Sequence, residues 1–523
     1  MKKLIYKWHR ILSLIIAIPV LLWAASGFMH PIMTNIRPSI RQQVLQPVAV
    51  DQEKINRSFS EVLMQNRIVK FHDVRLVHFD TLWFYQVQLD VKSIPVYLSC
   101  NDGKQLKNGD ELYARHLAKQ FLEGQYPAQN ALTEQNIATT TAHDCCDAAA
   151  IMVLTDTVGA DVKSVLRVKA FDDEYGEVNK ILPVYKVAFE RKDKIRVYVE
   201  TIQDRFVYAV DDKRARFDSI FGMFHSWEWG NGLGSSKQYL IILLMVVALL
   251  TSGMGLYLFF TTKSMKPKGN SRLMWRYRHR WVSVCASLFT IMFAFSGAYH
   301  AWSKTFPDDR YKFYDDQIIL ANNMKMDPLS MARDSNMSLS NISVIAMHDT
   351  LFWRFYPYVK NANQNSNQQK PWDKGRTMEI QSPRYIQDEN GETLLNGEKR
   401  YAAYLAQHFQ GNENGSFSTI LPVTKFEGEY GFVNKRLPVW KVVADGEKKI
   451  ERFYIETSTG TLAARVDDKD LPEGYSFSFL HKHHFMDFTG KVGRDLSTMF
   501  WAAMQIAMVV VGIFFWIKKT RSR

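Results

Sequence analysis

The chain has 523 residues, a 46% hydrophobic fraction with 33 Phe, 23 Tyr and 13 Trp, and a formal net charge of +13. That length holds several domains, and a mean hydropathy of -0.22 excludes a protein immersed wholly in lipid. The positive excess sits in three short segments that flank apolar stretches, so it describes membrane flanks and excludes a nucleic-acid surface.

In chain order, residues 1–30 hold a first span, apolar over 11–29. Residues 31–238 make a first α+β domain, and 239–260 a second span. A basic loop occupies 261–280 and a third span 281–301. A second α+β domain covers 302–495, and a fourth span with a basic tail covers 496–523. Each apolar stretch is near the length of about 20 residues that crosses a bilayer, and none contains Asp, Glu, Lys or Arg. WAASG (23–27) would suit signal-peptide processing, but the copy of this stretch at 281–301 is internal and has no such use.

Orientation follows from the flanks. Lys2, Lys3, Lys7 and Arg10 precede the first span. Lys263, Lys266, Lys268, Arg272, Arg276, Arg278 and Arg280 fill the loop, and Lys518, Lys519, Arg521 and Arg523 the tail, with no acidic residue among them. Positive residues stay inside, so both termini are expected in the cytoplasm and both large domains across the membrane. Cys285 lies in a span. Cys100, Cys145 and Cys146 fall in the first external domain, where a vicinal bridge, a Cys100 bridge and a free thiol all stay open. No spacing suits zinc.

The chain repeats itself. KWHRILSLIIAIPVLLWAASGFMH (7–30) returns as YRHRWVSVCASLFTIMFAFSGAYH (277–300), and FDDEYGEVNKILPVYKVAF (171–189) as FEGEYGFVNKRLPVWKVVA (426–444). RVYVETIQDRFVYAVDDK (196–213) returns as RFYIETSTGTLAARVDDK (452–469), and ELYARHLAKQF (111–121) as KRYAAYLAQHF (399–409). Each half reads span, external domain, span, which gives an approximate two-fold axis along the membrane normal. VYVET and FYIET alternate as half-buried antiparallel strands do. Together with helical spacing over 111–121 and 399–409, they predict two small α+β modules per half. The Asn- and Gln-rich stretch 361–370 reads as loop.

Six of the 14 histidines fall into matched pairs at the membrane: His9/His279, His30/His300 and His225/His481. His9 and His30 are 21 residues apart, as are His279 and His300, which returns both to one stripe of a left-handed bundle. The rise is about 32 Å, one histidine near each face. Taken singly, such a histidine is an interfacial anchor. Paired across two helices, it is what axial ligation of haem iron requires. His9/His279 are expected to hold an inner haem, and His30/His300 with His225/His481 an outer site, cross-half pairs such as His30 with His481 remaining open. Arg10 and Arg280 either meet haem propionates or mark the membrane boundary. Trp227, Trp229, Phe477, Phe479 and Phe485 read as an interfacial belt, or as a platform for an aromatic iron chelator. Glu228-Trp229 stands where the second half has His484-Phe485, which leaves His483 and His484 unmatched. No phosphate loop, dinucleotide fingerprint or zinc-protease motif is present.

These motifs resemble the PepSY-associated transmembrane helix family. The carrying residues are His-Arg opening a span (His9, Arg10; His279, Arg280) and Ser-Gly near its end (Ser26, Gly27; Ser296, Gly297). LPVYKV…VYVET and LPVWKV…FYIET resemble PepSY modules, and Phe224-His225 and Leu480-His481 precede the returning spans. The resemblance implies a multi-pass protein of the bacterial inner membrane, similar to haem-containing reductases of ferric siderophores. The expectation is a four-span helical bundle with two PepSY-like periplasmic α+β domains. It would bind haem b, two groups in all, and pass electrons from a cytosolic flavoprotein or a quinol to a ferric siderophore or other Fe(III) chelate. Two alternatives stand beside it: a non-redox PepSY-type envelope binding or regulatory protein, and a permease for the iron complex.

Overall fold

The computed structural model describes residues 1–124, 161–263, 269–303, 305, 314–359, 382–412, 415–426, 428–445 and 450–520. Cys145, Cys146, His143, the stretch 361–370, Lys266, Lys268, Arg521 and Arg523 lie outside them.

In the first half, helix α1 (Lys2–Asn35) leads to α2 (Phe59–Gln65) and strands β1 (Lys70–Phe71), β2 (Asp73–Phe79), β3 (Leu82–Gln88) and β4 (Val96–Ser99). Helix α3 (Gly109–Glu123) follows, then β5 (Val162–Val168), β6 (Val184–Phe189), β7 (Arg196–Glu200) and β8 (Arg205–Val210). Helix α4 (Asp212–Phe221), a π turn at Gly222–Ser226 and a 3-10 segment at Glu228–Leu233 lead into α5 (Ser235–Thr261).

The second half runs in the same order. Helix α6 (Ser271–Ser303) leads to β9 (Ile319–Leu320), α7 (Pro328–Asp334), β10 (Leu339–Met347), β11 (Thr350–Pro357), β12 (Arg384–Gln387) and β13 (Thr393–Leu394). Helix α8 (Gly397–Gln410) precedes β14 (Thr419–Val423), β15 (Val439–Asp445), β16 (Ile450–Glu456) and β17 (Thr461–Asp467). Helix α9 (Leu471–Ser476), a π turn at Phe477–His481 and a 3-10 segment at His484–Thr489 lead into α10 (Gly490–Thr520).

Two compact units result. One holds residues 1–37, 213–308 and 468–523, the other 38–212 and 309–467. The stretches 213–238 and 468–495, read from the sequence as external domain, thus belong with the helices. The four long helices extend past the apolar stretches at both ends, because flanking polar residues continue the same turns. The chain is a membrane protein: all four are long and apolar enough to span. The main packing runs α1 to α5, α5 to α6, α6 to α10 and α10 to α1, a ring that leaves α1 and α6 diagonal.

The second unit is built of antiparallel meanders, β2-β3-β4 and β5-β6-β7-β8 from one half, β10-β11-β12-β13 and β14-β15-β16-β17 from the other. Where the sequence suggests two separate domains, the halves share one core. Phe59, Val74, Tyr85 and Leu98 pack in the same cluster as Ile342, Val344 and Trp353. The Asp73 carboxylate accepts from Val344 N at 3.2 Å, and the Asn341 side chain accepts from Leu76 N at 2.8 Å, so side chains join β2 to β10. The two VNK turns are reciprocal. Lys180 Nζ donates to Asn434 at 2.7 Å and Lys435 Nζ to Asn179 at 2.6 Å. Each half then buries one helix against its sheets, α3 through Tyr113, Leu117 and Phe121 and α8 through Tyr401, Leu405 and Phe409. Both helices start at a glycine because a Cβ on Gly109 would strike the Tyr97 ring, and one on Gly397 the Tyr385 ring.

Candidate functional site

The histidines of the helical unit fall at two levels. His9 lies on α1 and His279 on α6, near the end at which the chain begins. His9 Nδ1 donates to the Thr251 carbonyl of α5 at 3.1 Å, and His279 Nδ1 lies 3.3 Å from Ser283 Oγ one turn along its own helix. A glycine makes room for each ring: a Cβ on Gly255 would stand 3.2 Å from His9 Cε1, and one on Gly512 3.2 Å from His279 Cε1. The two imidazoles are within electrostatic reach of each other.

At the distal end the π turns deliver His225 and His481. Trp23 Nε1 donates to the His225 carbonyl at 3.1 Å. Ser26 Oγ lies 3.0 Å from His225 Nδ1 while donating to the Trp23 carbonyl at 2.9 Å. Ser296 repeats this, 3.2 Å from His481 Nδ1 and donating to the Met292 carbonyl at 2.7 Å. A hydroxyl that gives its proton to a helix carbonyl can only accept from the imidazole. Nδ1 therefore carries the proton, and Nε2 is a bare lone pair. The same holds at His9, whose partner is a carbonyl.

The His225 and His481 rings lie 6.0 Å apart between centroids, with planes at 80°. Desolvation, with smaller contributions from neighbouring imidazoles, holds His225 down at about 4 and His481 well below its ordinary value. Both rings are neutral at physiological pH.

His30 and His300 stand one aromatic ring further out. Phe221 stacks on His225 at 4.6 Å and meets His30 at 5.4 Å; Phe477 stacks on His481 at 4.7 Å and on His300 at 4.3 Å. His300 Nδ1 is 2.6 Å from the Glu473 carboxylate, whereas the first half has Phe217 at that place in the repeat. Arg280 spends its guanidinium on the end of α5, donating to Thr262 Oγ1 at 2.8 Å and the Thr262 carbonyl at 2.7 Å. Arg10 is exposed. Cys100 is fully buried in the shared core, where burial pushes its thiol up.

Four groups escaped sequence reasoning: the serines as histidine holders, the glycines 255 and 512 as ring cradles, Glu473, and His483. Ser26 and Ser296 were visible as a repeated pair but carried no hint of their partners. His483 was visible only as a break in the repeat.

The chain is thus a four-helix membrane protein with histidines from both halves displayed inside one bundle, joined to a sheet-rich unit. It belongs to the PepSY-associated TM region family, whose model matches residues 6–340. No curated protein matches it.

Proposed function

We propose that the helical unit binds two b-type haems between its halves and passes electrons across the inner membrane to Fe(III) held by a siderophore or similar chelate. His9 and His279 hold the inner group, and His225 and His481 the outer. The observation that carries this reading is the bare Nε2 pair at the distal end. An iron bound by two imidazoles, with each nitrogen about 2 Å away, puts ring centroids about 6 Å apart, which suits the 6.0 Å between His225 and His481. At the inner end, the glycine cradles at 255 and 512 support the same role.

Bound haem would supply reversible one-electron chemistry between ferrous and ferric iron. The chain's residues do the rest. Ser26, Ser296 and Thr251 fix the ring tautomers that present a ligating nitrogen. The apolar cluster Ile16, Val20, Ala248 and Ala294 keeps the bundle interior dry. Ser26 and Ser296 follow the inner histidines by 17 residues, about 26 Å of helix, so the two levels bridge most of a bilayer. One electron from a cytosolic flavoprotein or quinol converts the chelated Fe(III) to Fe(II), which hard oxygen ligands hold less firmly. On this reading the halves arose by duplication, the termini are cytoplasmic and the sheet-rich unit is periplasmic.

The test is the colour of the purified protein. A Soret band that shifts with dithionite, and two haems per chain by pyridine haemochrome, are expected. His481→Ala should remove one of the two without loss of expression. Colourless protein from haem-replete cells would favour a non-redox envelope binding protein.

A further inference from the structure

His483 has no match in the repeat; the residue in its place is Trp227. Both adopt the same left-handed backbone, φ 54 and 52. Trp227 stacks on Trp23 at 5.3 Å and satisfies its N–H on the Phe224 carbonyl at 3.2 Å. His483 stacks on Phe293 at 5.1 Å and touches Phe289 and Phe485. It is 0% exposed, and its Nε2 is buried with no hydrogen-bond partner among the described residues. Leaving such an atom unpaired costs about 1–3 kcal/mol. A tryptophan or phenylalanine would avoid that cost.

Its serine partner is bonded differently from those of the distal ligands. Ser497 Oγ is 3.1 Å from His483 Nδ1, and among the described residues Ser497 makes no bond to a helix carbonyl, unlike Ser26 and Ser296. Its O–H can therefore donate to Nδ1, the arrangement that places the imidazole proton on Nε2 as a donor.

Place supplies the acceptor. Phe293 lies between the two histidines, edge-on to His481 at 5.4 Å. His481 meets α6 at Ser296 and Phe293, and His483 meets it at Phe293 and Phe289, a shift of about one turn or roughly 5 Å deeper. A haem held by His481 would bring its edge carboxylates near that depth. A second buried nitrogen of the helical unit without a partner among the described residues is Gln505 Nε2 on α10, where the first half has Ala248.

We infer that His483 Nε2 donates a hydrogen bond to a propionate of the outer haem, so that two matched ligands hold a cofactor whose polar edge is fixed by the second half alone. This rests on the haem reading above. Removing the donor leaves more negative charge near the iron and favours its ferric form.

The test uses the full chain and its His483→Phe, His483→Gln and His483→Trp variants. Haem content, resonance Raman of the propionate bending modes and potentiometric titration are measured on each. His483→Phe and His483→Trp should keep both haems, perturb the propionate band and lower one reduction equilibrium about tenfold, which is 59 mV for one electron, with His483→Gln between them and the wild type. Unchanged propionate bands and potentials would make His483 a packing residue and overturn the inference alone. Loss of one haem in all three variants would make it an iron ligand and also overturn it. A colourless wild-type protein would overturn the haem reading, and this inference with it.

Discussion

Two places after the distal histidine, the first half has an indole stacked on Trp23 and the second an imidazole stacked on Phe293, on nearly identical backbone. One turn further out, His300 has a carboxylate partner in Glu473, whereas His30 meets the Phe221 ring. The histidines at the two levels repeat, and so do Ser26/Ser296 and Gly255/Gly512; their surroundings do not. The sheet-rich unit makes the same point. Arg75 faces Gln86 across β2 and β3, while in the second half Ser343 faces Arg354 across β10 and β11. The arginine has changed strands, yet it still reaches a threonine carbonyl, Thr201 at 2.9 Å in one half and Thr457 at 2.6 Å in the other. Tyr113 donates to Asp204 at 2.6 Å and Tyr401 to Asp315 at 3.0 Å, so even the acceptor comes from a different segment. A repeated geometry fed by different residues marks what both halves need, and an unrepeated group marks what only one supplies.

The largest test of that equivalence is at the inner level. Gly512→Val and Gly255→Val each place a branched side chain where His279 or His9 lies, and each should cost one haem equivalent by pyridine haemochrome, from either half alike. Loss of a haem in one variant and retention in the other would break the match between the halves there, and retention of both haems in the two variants would refute the glycines as ring cradles.

A smaller effect should separate the matched carboxylates Glu456 and Glu200. Burial disfavours the Glu456 charge, but Arg205 and Arg436 outweigh it and hold the group down at about 2. Glu200 has Ile181 where its counterpart has Arg436, and burial pushes it up. A depressed carboxyl contributes stability that is full above its unfolded value, 4.5, and is lost as pH falls towards 2. Glu456→Gln should therefore cost on the order of 3 kcal/mol at neutral pH and flatten the loss of stability on acidification from pH 4.5, read by denaturant melts of the full chain. Glu200→Gln should be neutral or mildly stabilising. Equal destabilisation by both would refute the asymmetry.

Much of this architecture was legible in the sequence, for physical reasons. Four uncharged apolar runs, strands at VYVET and FYIET and the 270-residue recurrence of His-Arg and Ser-Gly each follow from local chemistry; the half-burial expected of those two strands does not hold, since Val197, Tyr198 and Val199, like Phe453, Tyr454 and Ile455, are all buried. The shared core of the sheet-rich unit was not legible, because the bonds of Asp73 and Asn341 to the opposite half depend on chain segments far apart. Nor was the sorting of the distal histidines. Spacing groups His30, His225, His300 and His481 together, but only the packed rings of Phe221 and Phe477 divide them into an inner pair 6.0 Å apart and an outer pair beyond.

The central claim is that His225 and His481 share one iron. Electron paramagnetic resonance of the oxidised full-length protein tests it most directly, because imidazole planes at 80° should give a highly anisotropic low-spin ferric signal. That signal should be present in the wild type and absent in His225→Ala, while the inner haem's signal persists. A spectrum with no haem, or with high-spin iron alone, would contradict the account.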